Sequence, residues 1–96
     1  MKLTELKAIQ LAELFSALSD ASRVRIISLL IESEMSVSAL AEELKMTESA
    51  VSHQLRGLRQ MRLVRARKDG RQVFYTFDDD HVAKLYSMGF DHLEHG

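Results

Sequence analysis

Three of the four histidines of this 96-residue chain, His81, His92 and His95, fall in its last sixteen residues, with Asp79 just ahead of them. Imidazole nitrogen and carboxylate oxygen are the donors that a zinc-class ion takes. At about 100° per residue on a helix, His92 lies near 20° and His95 near −40° from His81. Leu85 and Met88 fall between them, so positions 81, 85, 88, 92 and 95 have the 4-3-4-3 spacing of a helix–helix seam. A single histidine here would read as a surface residue. The terminal "LEHG" lacks the run of histidines that an affinity tag would carry.

Axial distance limits how these donors combine. His81 and His92 stand about 16 Å apart along a helix at about 1.5 Å per residue. An ion with nitrogen ligands at about 2 Å cannot bridge that gap. Two such helices running antiparallel across a two-fold axis remove the conflict. Asp79 and His81 of one chain then meet His92 and His95 of the other, giving two equivalent sites.

His92 and His95 are i, i+3 neighbours that chelate together. Asp79 must lie at or before the first turn to share a face with His81. Its neighbours Asp78 and Asp80 are then the candidates for capping the helix start. Four N/O ligands suit Zn(II), with Co(II) as a substitute, whereas Ni(II) asks for more ligands. A second stripe, Val82, Tyr86, Phe90 and Leu93, is expected to face the protein's own core.

A different chemistry sits upstream. Residues 45–71 hold eight basic side chains against two acidic ones, a local +6 inside a chain of net charge −1. Such a block can be no more than a solvated face, so the structure carrying it decides its meaning. In "ESAVSHQLRGLRQM", Val51, Leu55 and Leu58 cluster on one side of a helix, and Ser49, Ser52, His53 and Arg56 on the other. Hydroxyl, imidazole and guanidinium groups on one face can reach base edges or phosphates in a major groove. His53 alone would equally suit a capping or surface role. Beyond it, "LVRARKDGRQVFYTF" alternates apolar and polar residues about Asp69-Gly70, a favoured turn pair, which predicts a hairpin. Its tip would bring Arg67, Lys68 and Arg71 to the phosphates or the minor groove.

The elements that must position these groups follow from periodicity. Leu11, Leu14, Phe15 and Leu18 mark a first helix capped at Thr4. Ile26, Ile27, Leu30 and Ile31 mark a second, capped at Ser19 or Asp20. Val37, Leu40, Ala41 and Leu44 mark a short third. After a break at "KMT" the fourth starts behind Thr47. The expected order is ααααββα: mainly α with a β-hairpin, a winged helix-turn-helix forming a single domain over residues 1–96. One face of its last helix would serve as a dimer interface, and a symmetric homodimer would match a palindromic operator in double-stranded DNA.

The chain has no cysteine, which removes disulfides, thiol catalysis and thiolate metal sites. No apolar stretch approaches a signal-peptide core or a membrane span, so a cytoplasmic protein without a membrane partner is expected. An enzyme is not expected. A zinc hydrolase needs an open coordination position and a general base, and four protein ligands would close the site. No organic substrate is expected either. The competing interpretation is a repressor of the same fold whose histidines are only structural.

Taken together, "LSDASRVRIISLL", "SVSALAEELKMTESAVSHQLRGLRQMRLVRARKDGRQVFY" and "DDHVAKLY…DHLEH" resemble the ArsR/SmtB-type metalloregulatory repressors over nearly the whole chain. The resemblance implies a cytoplasmic homodimer built on its first and last helices. Its apo form would hold an operator and release it when metal binds, allowing expression of efflux or sequestration genes. It implies zinc or cobalt ligation by Asp79, His81, His92 and His95. It also implies a bond from the second ring nitrogen of His92 to the backbone carbonyl of Arg62, coupling metal to DNA. Without cysteine, the chain departs from relatives that use thiolates near the third helix and from those that sense sulfur.

Overall fold

A computed structural model describes all residues, 1–96. Five helices and three strands follow in the order α1 (Glu5–Ala17), α2 (Ala21–Glu32), β1 (Met35–Ser36), α3 (Val37–Leu44), α4 (Glu48–Gln60), β2 (Val64–Asp69), β3 (Gln72–Phe77) and α5 (Asp80–His95). The expected winged helix-turn-helix is present, with one strand more than the sequence suggested. A two-residue strand has no periodicity to reveal it. β1 exists because Met35 and Ser36 pair antiparallel with Tyr75 and Phe74, giving a sheet in the order β1-β3-β2.

The helix starts are set by side-chain caps. Thr4, Asp20, Ser36, Thr47 and Asp79 each accept a hydrogen bond from the amide three residues on, which satisfies a donor that the first turn leaves free. Asp20, not Ser19, caps α2.

Three helices carry the core as their spacing predicted. Ile26, Ile27 and Leu30 of α2, Leu40, Ala41 and Leu44 of α3, and Val51, Leu55 and Leu58 of α4 are buried together. Leu18 at the end of α1, Leu63, Val64 and Tyr75 around the wing, and Val82 at the start of α5 complete the cluster. Ile31 and Val37 pack against it while partly exposed.

The two short helices join tightly. Lys45 takes a left-handed conformation (φ 54°), and the Met46 amide donates back to the Ala41 carbonyl at 3.0 Å. Helix α4 ends in the same way. Arg62 is left-handed (φ 62°), its amide donates to Arg59 O at 2.9 Å, and the Leu63 amide donates to Leu58 O at 3.0 Å. These two bonds form a Schellman closure, with Leu58 and Leu63 as its buried apolar pair. The turn therefore swings the chain from the reading helix directly into β2.

The hairpin differs from expectation by one residue. Asp69 pairs with Gln72, so the connection is Gly70-Arg71 and not Asp69-Gly70. Gly70 has φ +63° and Arg71 is not among the positive-φ residues. That matches the two-residue turn in which glycine takes the first central position.

The terminal helices depart further. No residue within α1 is buried, and Leu11 and Phe15 are exposed, while Leu14 packs against the core and Leu18, at the helix end, is buried in it. On α5 only Val82 is buried and Tyr86 half-buried, while Phe90 and Leu93 of the expected core stripe are 65% and 83% exposed. The domain's own core ends near Tyr86, and α5 runs past it. No helix is long and apolar enough to cross a membrane.

Candidate nucleic-acid interface and histidine helix

Helix α4 divides as its sequence indicates. Val51, Leu55 and Leu58 are at 0% exposure, while Ser49, His53 and Arg56 are exposed and Ser52 is half-buried. Thr47 Oγ1 accepts from the Ala50 amide at 3.0 Å, so the N-terminal turn carrying Ser49 and Ser52 is held from its first residue. Arg56 forms no ion pair, which leaves its guanidinium available.

The wing separates its basic residues by face. On the sheet face turned to the core lie Val64, Ala66 and Lys68, opposite Phe77, Tyr75 and Val73. On the other face, Arg65 bonds Asp78 at 3.2 Å and Arg67 meets Glu34. Arg67 is fully engaged there. Its Nε and Nη2 donate to the two Glu34 oxygens at 2.9 and 2.7 Å, its Nη1 lies 3.6 Å from Asp69, and its guanidinium sits 4.7 Å from the Phe74 ring centroid. Thr76 Oγ1 donates to the same carboxylate at 3.1 Å. The hydrogen bond from Arg67 holds the Glu34 carboxyl below the usual glutamate range, and Glu34 in turn raises Arg67. Arg67 thus braces the wing against Glu34, the residue just before β1. Lys68 and Arg71 remain exposed and unpaired near the tip.

Sequence patterning gave no sign of Glu34, because its partners lie 33 and 42 residues on and no local spacing connects them.

At the other end of the chain, the cap of α5 is Asp79 itself. Its Oδ1 accepts from the Val82 amide at 3.0 Å. Neither Asp78 nor Asp80 has that role, contrary to expectation, and Asp78 pairs with Arg65 instead. Asp79 is placed for it by extended backbone (φ −137°, ψ 102°) three residues before the amide it caps. Its Oδ2 makes no hydrogen bond within the chain. His81, His92 and His95 are exposed on α5, and His95 Nδ1 lies 3.0 Å from Asp91 Oδ1. Within one chain, no three His, Asp or Glu side chains converge to hold a metal ion.

The fold matches proteins already known. Residues 20–66 match the bacterial regulatory proteins of the arsR family. The transcriptional repressor SmtB homolog of Synechocystis sp. is 52% identical over 88 residues, 92% of this chain and 67% of that protein. The chain belongs to the arsR family. The HTH-type transcriptional regulator NmtR of Mycobacterium tuberculosis is 42% identical over 92% of this chain and 73% of its own length. The solution structure of apo-NmtR superposes on the whole of this chain and 81% of that one, with a TM-score of 0.85 and 40% identity. The crystal structure of the AntR antimony-specific transcriptional repressor covers 98% of this chain and 86% of that one, with a TM-score of 0.89 at 29% identity. As an arsR-family protein the chain is a transcriptional regulator of the helix-turn-helix type and not an enzyme.

The family match takes in α2 through the start of β2, the segment that holds the reading helix and its support. The histidine helix lies beyond it, so its chemistry has to be argued from its own residues.

Proposed function

We propose that this protein is a cytoplasmic, zinc-responsive repressor. Its apo homodimer holds a palindromic operator, and metal at the two α5 helices lowers the affinity and allows expression of efflux or sequestration genes. The observation that carries this reading is the uncovered seam of α5. Leu85 and Met88, between the histidines, are 40% and 70% exposed, so donors and apolar contacts wait on one helix face.

The same exposure argues for the dimer. Apart from Val24, every exposed large apolar residue lies in residues 1–15 or on α5 between residues 85 and 93. Contiguous apolar surface of this kind marks an interaction site, and a second copy of α1 and α5 supplies a self-complementary cover. An antiparallel α5 pair brings Asp79 and His81 of one protomer to His92 and His95 of the other.

The donor set fits the ion. Asp79 has a free oxygen while it caps, and three imidazoles complete a tetrahedral N/O set for Zn(II) or its substitute Co(II). Zinc bound there would tie one α5 to the other. Asp91, on His95 Nδ1, orients that ring and leaves Nε2 for ligation, as a carboxylate behind a ligating histidine does.

Ser49, Ser52, His53 and Arg56 would meet the major groove, with Lys68 and Arg71 on the phosphates. The Arg62 carbonyl, at the end of the reading helix, accepts no hydrogen bond within the chain, which suits it to the second nitrogen of His92. A metal effect on DNA requires unequal affinity for two dimer arrangements, and the coupling is reciprocal.

The test uses a duplex that the wild-type protein selects from a random pool. Apo wild type should bind it tightly, zinc should weaken binding at least tenfold, and His81→Ala should bind alike with and without zinc. Equal affinity of wild type in both conditions overturns the reading. Absence of tetrahedral Co(II) absorption would leave the histidines structural.

A further inference from the structure

The geometry points to Arg23 as a positioning residue that fixes the reading helix on the frame made by α1 and α5; this rests on the DNA-reading role proposed for α4. Arg23 lies in the first turn of α2, and its half-buried side chain spans two other helices. Nε donates to Gln54 Oε1 on α4 at 2.7 Å, and Nη1 donates to the Ala17 carbonyl, the last residue of α1, at 2.9 Å. That carbonyl is one of those a helix end leaves without an internal partner, and a cation there is doubly favoured. One residue on, the Leu18 carbonyl accepts from the Tyr86 hydroxyl of α5 at 3.4 Å. The end of α1 is therefore held from α5 on one side and joined through Arg23 to α4 on the other.

A further observation fits. Gln54 directly follows His53 and precedes Arg56 by two, so its tether acts within the turn that carries the groove-facing residues. Apolar packing at the end of α1 comes from Leu14 and Leu18 against the shared core, and Arg23 adds a directional polar link from that end to α4. A guanidinium can serve two acceptors in fixed directions, which an ammonium on a flexible stem does not do.

The consequence is specific. A reading helix that can rock weakens its hydrogen bonds to bases, whose geometry is strict, more than its bonds to phosphates, which position without reading sequence. Arg23 should thus influence sequence preference while leaving the salt dependence of binding unchanged.

A double-mutant cycle tests this on the full-length apo protein. Arg23→Met, Gln54→Met and the double variant are compared with wild type on the wild-type-selected duplex and on a scrambled duplex. Each single change should lower the preference between duplexes by about tenfold, the scale of removing one charge-assisted hydrogen bond. The double change should lower it by no more than either single, because both remove one tether. Thermal unfolding is followed in parallel. If Arg23→Met does not fold, Arg23→Lys takes its corner of the cycle. Losses that multiply to about a hundredfold would mean Gln54 contacts DNA independently, and the tether would be wrong. An unchanged preference with lowered stability would also overturn it, leaving Arg23 a purely structural residue. A wild-type protein that selects no duplex at all overturns the DNA-reading role itself, an outcome distinct from a selective wild type with unaffected variants.

Discussion

Arg67 and Glu34 face each other through two hydrogen bonds, Nε to Oε2 at 2.9 Å and Nη2 to Oε1 at 2.7 Å, and this pair ties the wing to the connection between α2 and β1. The contact is solvent-exposed, so its effect on stability is small and depends on salt. Its sign with pH is definite. The Arg67 hydrogen bond lowers the Glu34 carboxyl from its ordinary 4.5. The contribution is then full above that ordinary value and is lost as pH falls through the lowered one. Wild type should unfold at a higher temperature than Glu34→Gln near neutrality. The gap should close on acidification through the region below about pH 4.5. Parallel melting curves for the two proteins across that range would show that the pair contributes nothing.

The same pair divides the wing's arginines and lysine by task. Each phosphate neutralised contributes about −0.9 to the slope of log affinity against log salt. Lys68→Ala and Arg71→Ala should each make that slope shallower, by about one for every phosphate that the substituted side chain had neutralised. Arg67→Met should leave the slope alone, since its guanidinium is held by Glu34, Asp69 and Phe74. Filter binding or fluorescence anisotropy over a salt series reads the difference. A slope change for Arg67→Met equal to that of Lys68→Ala would return Arg67 to the DNA surface.

Much of this was legible in the chain itself, and the exceptions share a cause. The buried faces of α2, α3 and α4 follow from 3.6-residue spacing, because each packs on one side against the same core. The caps at Thr4 and Thr47 are equally local. What the sequence did not show depends on residues far apart: β1 needs Tyr75 and Phe74, and the Arg67 brace needs Glu34. The hairpin turn was misplaced by one residue, since Asp-Gly and Gly-Arg pairs both offer a glycine to a two-residue loop. The apolar stripe of α5 was legible as apolar, but spacing cannot say whether Phe90 and Leu93 meet their own chain or another. The donor spacing of Asp79, His81, His92 and His95 was legible, while the cap role of Asp79 depended on backbone torsions.

Asp79 caps α5, and substitutions can separate that cap from the ligand role proposed for it. Asparagine is about as good a helix cap as aspartate, whereas alanine there costs about 1 kcal/mol. Asp79→Asn should therefore unfold within about 0.5 kcal/mol of wild type yet bind Co(II) more weakly, because it loses the anionic ligand. Asp79→Ala should lose both. Urea unfolding with a Co(II) absorption titration separates the effects. Wild-type Co(II) affinity in Asp79→Asn would remove Asp79 from the ligand set and leave it a cap only.

The exposed end of α5 gives the most direct test of the dimer. Phe90 and Leu93 are more exposed than not, so in an isolated chain a charge there replaces little packing and should change stability by less than about 0.5 kcal/mol. Across a dimer seam the same charge would be buried without a partner, at a cost of several kcal/mol. Leu93→Glu should therefore sediment as a monomer at concentrations where wild type is dimeric. Glu42→Lys, an exposed charge reversal on α3, should not alter the assembly. The monomer should also lose tight zinc binding even with Asp79, His81, His92 and His95 intact, since a single chain brings no three of these donors together. Tight zinc binding by a monomeric Leu93→Glu protein would mean that one α5 bends to close the site alone, and the two-chain site would have to be abandoned.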